Sequence, residues 1–301
     1  MNRTFRTISI IARNELADSV RSRWFIAMVI LYLIGAAAAT ALFISFLHSI
    51  ETEVLRTIGV SASKAAGGAT TTLWKSDSLR RVLVELVGDR KLVDNLLSVP
   101  PLGLFYGWLA FFFTPALVML TSSTRIAEEV STGSVRYVMF RAARSHWCIG
   151  KFVGQALQVL VALLLSTVGA WAVGMFCMHG FEPMATAGYM VLFALKAWIY
   201  ALPFLGLALG VSQFCRSPIL AVVFGFLSMV ALSIVSFVSK LLAGKGWRGL
   251  WDIVHAFTPG AHKSGLWWND GAHVIPAVAF LLALAAAYYL VGYARFSRRD
   301  L

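Results

Sequence analysis

The sequence predicts an all-α, polytopic membrane protein. It has six transmembrane helices, an N-terminal interfacial helix, a short inner helix between spans two and three, and an outer amphipathic helix. Three observations predict this. Of 301 residues, 59% are apolar and only 13% charged, with a mean hydropathy of +0.76, whereas a soluble domain carries about one quarter charged residues. Six apolar runs reach the roughly 20 residues needed to cross a bilayer core. Lysine and arginine gather in alternate short connections, which orients the chain.

The predicted spans are about residues 24–47, 104–123, 152–178, 187–214, 219–242 and 274–293. Before the first lies a segment with Arg3, Arg6, Arg13, Arg21 and Arg23, whose residues 4–22 read as the interfacial helix. Ala37-Ala38-Ala39 resembles a signal-peptide cleavage region, but the apolar run continues to Leu47 and the charged lead is long for a signal. With the N-terminus inside, the inner segments hold these arginines, Arg125, Arg136, Arg141, Arg144, Lys151, Arg216, Arg295, Arg298 and Arg299. The connection from His179 to Ala187 holds none. Both termini inside requires an even number of spans, which agrees with six.

Two outer segments separate the spans. In 48–103, Ser61 to Thr72 reads as loop, and 79–97 reads as one amphipathic helix closed by Pro100-Pro101. Its Leu79, Val82, Leu83, Leu86, Val93, Leu96 and Leu97 share a face. The second outer segment, 243–273, is rich in Gly, Trp and His. Tryptophans near span ends, such as Trp108, Trp171 and Trp267, suit membrane interfaces.

A net charge of +12 in a soluble protein would suggest nucleic acid. Here it flanks apolar runs, where it binds anionic headgroups, and no RNA-recognition, zinc or basic-zipper pattern is present. Cys148, Cys177 and Cys215 form neither a metal cluster nor a disulfide framework. A phosphate-binding loop is absent. Gly150-Lys151 is followed by Phe152 and Gly244-Lys245 by Gly246, so no hydroxyl follows the lysine. The chain is therefore not expected to hydrolyse ATP. His48, His179, His255, His262 and His273 fall on the outer side without the i, i+4 spacing of a metal site. Glu128-Glu129 lacks a nucleophile or metal partner, which argues against a membrane enzyme.

Lys196 lies inside the fourth span, where a charge is costly. It either lines a polar path or snorkels to an interface. Phe111, Phe112, Phe113 and Phe204 are aromatic candidates for the same path, with lipid-facing packing the favoured role for each. The inner segment "RIAEEVSTGSVRYVMFRAARSHWCIGKF" reads as a compact helix-turn-helix. Its Val135, Tyr137, Val138, Met139 and Phe140 form an apolar knob rimmed by arginines, suited to a partner's groove.

Three places carry a resemblance. They are "ARNELADSVRSRWF" (Ala12 to Phe25), Glu129 with Gly133-Ser134-Val135 and later Arg144 and Gly150-Lys151, and the tail from Phe296 to Leu301. In order and spacing they are similar to the type-2 permease family of ABC transporters, over nearly the whole chain. Ser131 stands where a second Glu is common, and Arg141 where a Pro is common. The resemblance implies a permease subunit of an exporter in a bacterial inner membrane, paired with a second permease chain. Each would bind a separate cytoplasmic ABC ATPase, which holds the ATP and Mg²⁺. It implies a coupling helix from Glu128 to Tyr137, with Glu128, Glu129, Gly133, Val135, Arg136, Tyr137 and Arg144 as coupling residues. Glu15, Arg21 and Arg23 would act in the interfacial helix. Short half-helices between about Gly249 and Ala272 would form an outer gate. The segment 48–103 would meet a substrate or an outer accessory protein.

Overall fold

The computed structural model describes residues 3–21, 23–58, 74, 80–81, 83–85, 89–178, 181–242 and 248–298. These form twelve main α-helices, and no strand occurs among the described residues. They are α1 (Arg3–Arg21), α2 (Arg23–Ile58), α3 (Arg90–Leu97), α4 (Pro101–Ser122), α5 (Arg125–Thr132) and α6 (Val135–Met139). After them come α7 (Arg144–Cys177), α8 (Pro183–Phe214), α9 (Pro218–Leu242), α10 (Arg248–Ala256), α11 (Pro259–Leu266) and α12 (Gly271–Ser297). Six of them, α2, α4, α7, α8, α9 and α12, are long and apolar enough to cross a membrane.

Several boundaries differ from the sequence reading, because hydropathy marks where lipid ends and not where a helix ends. The first span helix does not stop near Leu47. No Gly or Pro occurs from Ala36 to Ile58, so nothing interrupts the backbone ladder. The Ser49 and Thr52 hydroxyls return to the Ser45 and His48 carbonyls, 2.9 and 2.8 Å away. The third span helix likewise starts at Arg144, eight residues before its apolar run.

The single amphipathic helix expected over 79–97 is broken. Asp89 is extended (φ −131°, ψ 110°), and its carboxylate accepts from the Lys91 and Leu92 N–H groups, starting a new helix at Arg90. Arg80 bonds Asp94 across the break at 2.7 Å and holds the Asp94 carboxyl below its ordinary range. The expected Ser61–Thr72 loop lies outside the described residues.

Helix α8 is the hub, packed against α4, α7, α9 and α12. Small residues permit its approach to α12, as between membrane helices generally. A Cβ on Gly206 would strike the Ala285 carbonyl, one on Gly210 would lie 2.7 Å from the Tyr288 carbonyl oxygen, and one on Gly292 2.5 Å from Gly210 Cα. By contrast α2 and α9 are largely exposed and form the periphery of the bundle. At one end of the bundle lie α1, α5, α6 and the C-terminal end of α12. At the other lie α3, α10 and α11.

Candidate functional site

The most polar buried cluster ties together three elements at the end of the bundle that holds α1 and α5. Lys151 on α7 is paired with Glu15 on α1 and with Glu129 on α5. Lys151 and Glu15 are 6% and 5% exposed, so this is an interior network. Gln155, one turn on from Lys151, donates to the other Glu15 oxygen at 2.8 Å, and accepts from Ser122 at the end of α4 at 3.0 Å. A turn further, Ser19 of α1 donates to Gln158 at 2.8 Å. A buried charge needs such partners, because an unpaired one is strongly unfavourable.

The local sequence explains why α1 comes so close. Its inward stripe is the half-buried Ile8 and Ile11 with the buried Ala12, Glu15 and Ser19, at helical spacing. Opposite them, Gly150 and Gly154 give α7 a flat face. A Cβ on Gly150 would lie 2.6 Å from Ile11 Cγ2, and one on Gly154 2.8 Å from Glu15 Cβ. The glycines therefore set the distance at which Lys151 can reach Glu15.

Helix α5 is held at both ends. The Ser212 hydroxyl on α8 accepts from the Ile126 and Ala127 N–H groups, at 3.2 and 2.9 Å, and satisfies two donors of its first turn. At the other end Gly133 takes a left-handed conformation, φ +74°. The coupling segment expected from Glu128 to Tyr137 lies across two helices, α5 and α6, because a left-handed residue ends the α-helical ladder, in keeping with the helix-turn-helix reading of this segment.

The turn divides the expected apolar knob. Val135 is 1% exposed and anchors α6 to the core, which removes it from the exposed set. Tyr137 and Phe140 are 78% and 88% exposed, and Val138 and Met139 are half-buried. Arg136, Arg141 and Glu128 are exposed around them. Arg144 donates to the Ser297 carbonyl at 2.8 Å, and Trp147 stacks on Phe296 with centroids 5.7 Å apart. Arg144 thus ties the start of α7 to the end of α12. Arg21 and Arg23 are exposed at the junction of α1 and α2.

At the opposite end the Lys196 ammonium donates to the Trp268 carbonyl at 2.8 Å and to Asn269 Oδ1 at 3.1 Å, linking α8 to the α11–α12 connection. Phe204 is buried against Tyr200, and Phe112 is exposed on the bundle surface beside Trp108. Lys263 lies over the rings of Phe111 and Tyr200, at 5.9 and 5.8 Å, and burial there pushes its ammonium below the ordinary lysine range. The described outer histidines have protein partners. His255 meets Ser239, His262 the Ala256 carbonyl, and His273 Asp270. Among the described residues no three His, Cys, Asp or Glu side chains converge on a metal position.

The sequence reading named Glu15 and Glu129 separately and missed that Lys151 joins them. A signal was present. Glu15 interrupts an otherwise apolar stripe, and Lys151, Gln155 and Gln158 share the glycine face of α7.

Six spans around one hub, with a buried ionic clasp under an exposed helical turn, define an all-α polytopic membrane protein. Residues 9–301 match the model of a family described as ABC-2 family transporter protein, and the chain belongs to that family. It is therefore a multi-pass membrane protein and a permease component of an ABC transporter, the part that is not itself catalytic. A comparison with curated proteins finds no match.

Proposed function

We propose that this permease couples to a separate cytoplasmic ABC ATPase through α5 and α6, and drives export. Its supporting observation is the Glu15–Lys151–Glu129 clasp. Three charges on three helices, two of them buried and Glu129 partly so, cost several kcal/mol to separate. A push on α5 is therefore passed to α1 and α7 and not absorbed at a flexible joint. Tyr137 and Phe140, exposed beside this clasp and ringed by arginines, suit a partner's pocket with an acidic rim. Closure of two ATPase subunits on ATP and Mg²⁺ moves α5–α6, and the clasp carries the motion into the spans.

In this reading α1, α5 and α6 face the cytoplasm of a bacterium, across the inner membrane, with both termini inside. The arginines at this end agree with that orientation. A second permease chain completes the pathway, and α10–α11 form the outer gate. The outward direction follows from the type-2 permease resemblance.

Co-purification from detergent with the ATPase encoded beside it tests the reading. The two should come down together, and Tyr137→Ala with Phe140→Ala should release the ATPase while leaving the permease monodisperse. An unchanged complex would sink the docking site.

A further inference from the structure

Two cavities adjoin where α8 ends, α9 begins and α12 ends. The first, about 770 Å³, is lined by Arg216, Arg295 and Arg298 with Gln213. No carboxylate lines it among the described residues. Gln213 is fully buried, beside the Tyr289 hydroxyl. The second, about 410 Å³, is lined by Val211, Leu220 and Phe224. Phe214 and Arg216 line both, so a basic chamber opens beside an apolar one.

Among the described residues the charge does not balance locally. Helices α8 and α12 both end here, and each C-terminus carries roughly −0.5 charge, against about +0.5 at the start of α9. Three arginines add +3 to a helix-end sum of about −0.5, so roughly +2.5 remains for a ligand to offset.

We propose that the paired cavities hold an anionic phospholipid. Its phosphate sits among Arg216, Arg295 and Arg298, and an acyl chain lies along Val211, Leu220 and Phe224. Arginine suits phosphate because its planar fork gives two parallel hydrogen bonds. Basic clefts between membrane helices on the cytoplasmic side are suited to such headgroups. The proposal rests on the membrane placement of the chain and not on its ATPase, so the two can fail separately.

The test uses the full-length permease purified in neutral detergent without its ATPase, read by native mass spectrometry and by melting temperature. Phosphatidylglycerol and cardiolipin should remain bound and raise the melting temperature, while phosphatidylcholine should do neither. Each arginine near a charged lipid contributes on the order of fivefold in affinity, so Arg216→Ala with Arg295→Ala and Arg298→Ala should weaken retention about 100-fold. All three side chains are exposed, so the lipid-free variant should melt as the wild type does. Leu220→Trp should obstruct the apolar cavity and lower phospholipid binding with the arginines intact. Equal binding of phosphatidylcholine would overturn the proposal, as would full retention in the triple variant. Inorganic phosphate reproducing the whole melting shift would assign the chamber to a small free anion and overturn the lipid assignment.

Discussion

The Lys151 ammonium on α7 is paired with the Glu15 carboxylate on α1, 136 residues earlier in the chain. Glu129 takes the same ammonium from the other side. One cation thus answers for two carboxylates, and the three substitutions should not cost the same.

Lys151→Met leaves two carboxylates facing each other away from water. It should destabilise the chain by about 3–5 kcal/mol in detergent denaturation. Glu129→Gln should cost less, since its side chain is 27% exposed and Lys151 keeps Glu15. The triple variant with Glu15→Gln, Glu129→Gln and Lys151→Met should recover much of the loss, because no unpaired charge remains. A triple variant no more stable than Lys151→Met would mean the clasp is not electrostatic.

Gly154→Ala should force α1 away from α7. The new Cβ would meet Glu15 Cβ at 2.8 Å and the Ala12 carbonyl oxygen at 3.2 Å, and overpacking of this kind costs about 1–3 kcal/mol. Gly188→Ala is the control, because nothing lies within 4 Å of its Cβ position. Equal melting temperatures for the two variants would remove the close-approach argument.

Tyr137→Ala and Phe140→Ala should each change stability by less than about 0.5 kcal/mol, as exposed positions do. They should still lower ATP turnover of the assembled transporter severalfold. Val135→Ala, removing a buried side chain from the same short helix, should do the reverse. It should cost roughly 1–3 kcal/mol of stability. Measuring melting and turnover on the same three variants separates a docking surface from a core contact.

Gly133→Ala introduces strain without a clash. Its φ of +74° disfavours a Cβ, and nothing lies within 4 Å of that atom, so the cost should be the left-handed conformation itself, about 1–2 kcal/mol. Gly133→Asn should cost less, because Asn tolerates that region. Similar losses for both would point to a role for the glycine other than the turn.

Lys196→Met should loosen the α11–α12 connection by removing the donor to Trp268 and Asn269. Hydrogen exchange at residues 266–272 should rise. Unchanged exchange together with lost transport would favour a direct role of Lys196 in the pathway.

What the sequence by itself determined is the membrane character and the six spans. These follow from local demands. A bilayer of fixed thickness needs a run of apolar residues, and lipid leaves a backbone no partner but its own helix. Helix ends beyond the lipid were less legible, since α2 and α7 continue through polar residues that hydropathy counts as loop. The break at Asp89 depends on one side-chain cap, and an amphipathic pattern runs straight through it. Only the tertiary structure decided that Lys151 meets Glu15 and Glu129, that Val135 is core while Tyr137 is not, and that Arg144 ties α7 to α12. Each is a meeting of residues far apart in the chain, set by how closely glycine faces let two helices approach, and that spacing is a property of the packed bundle.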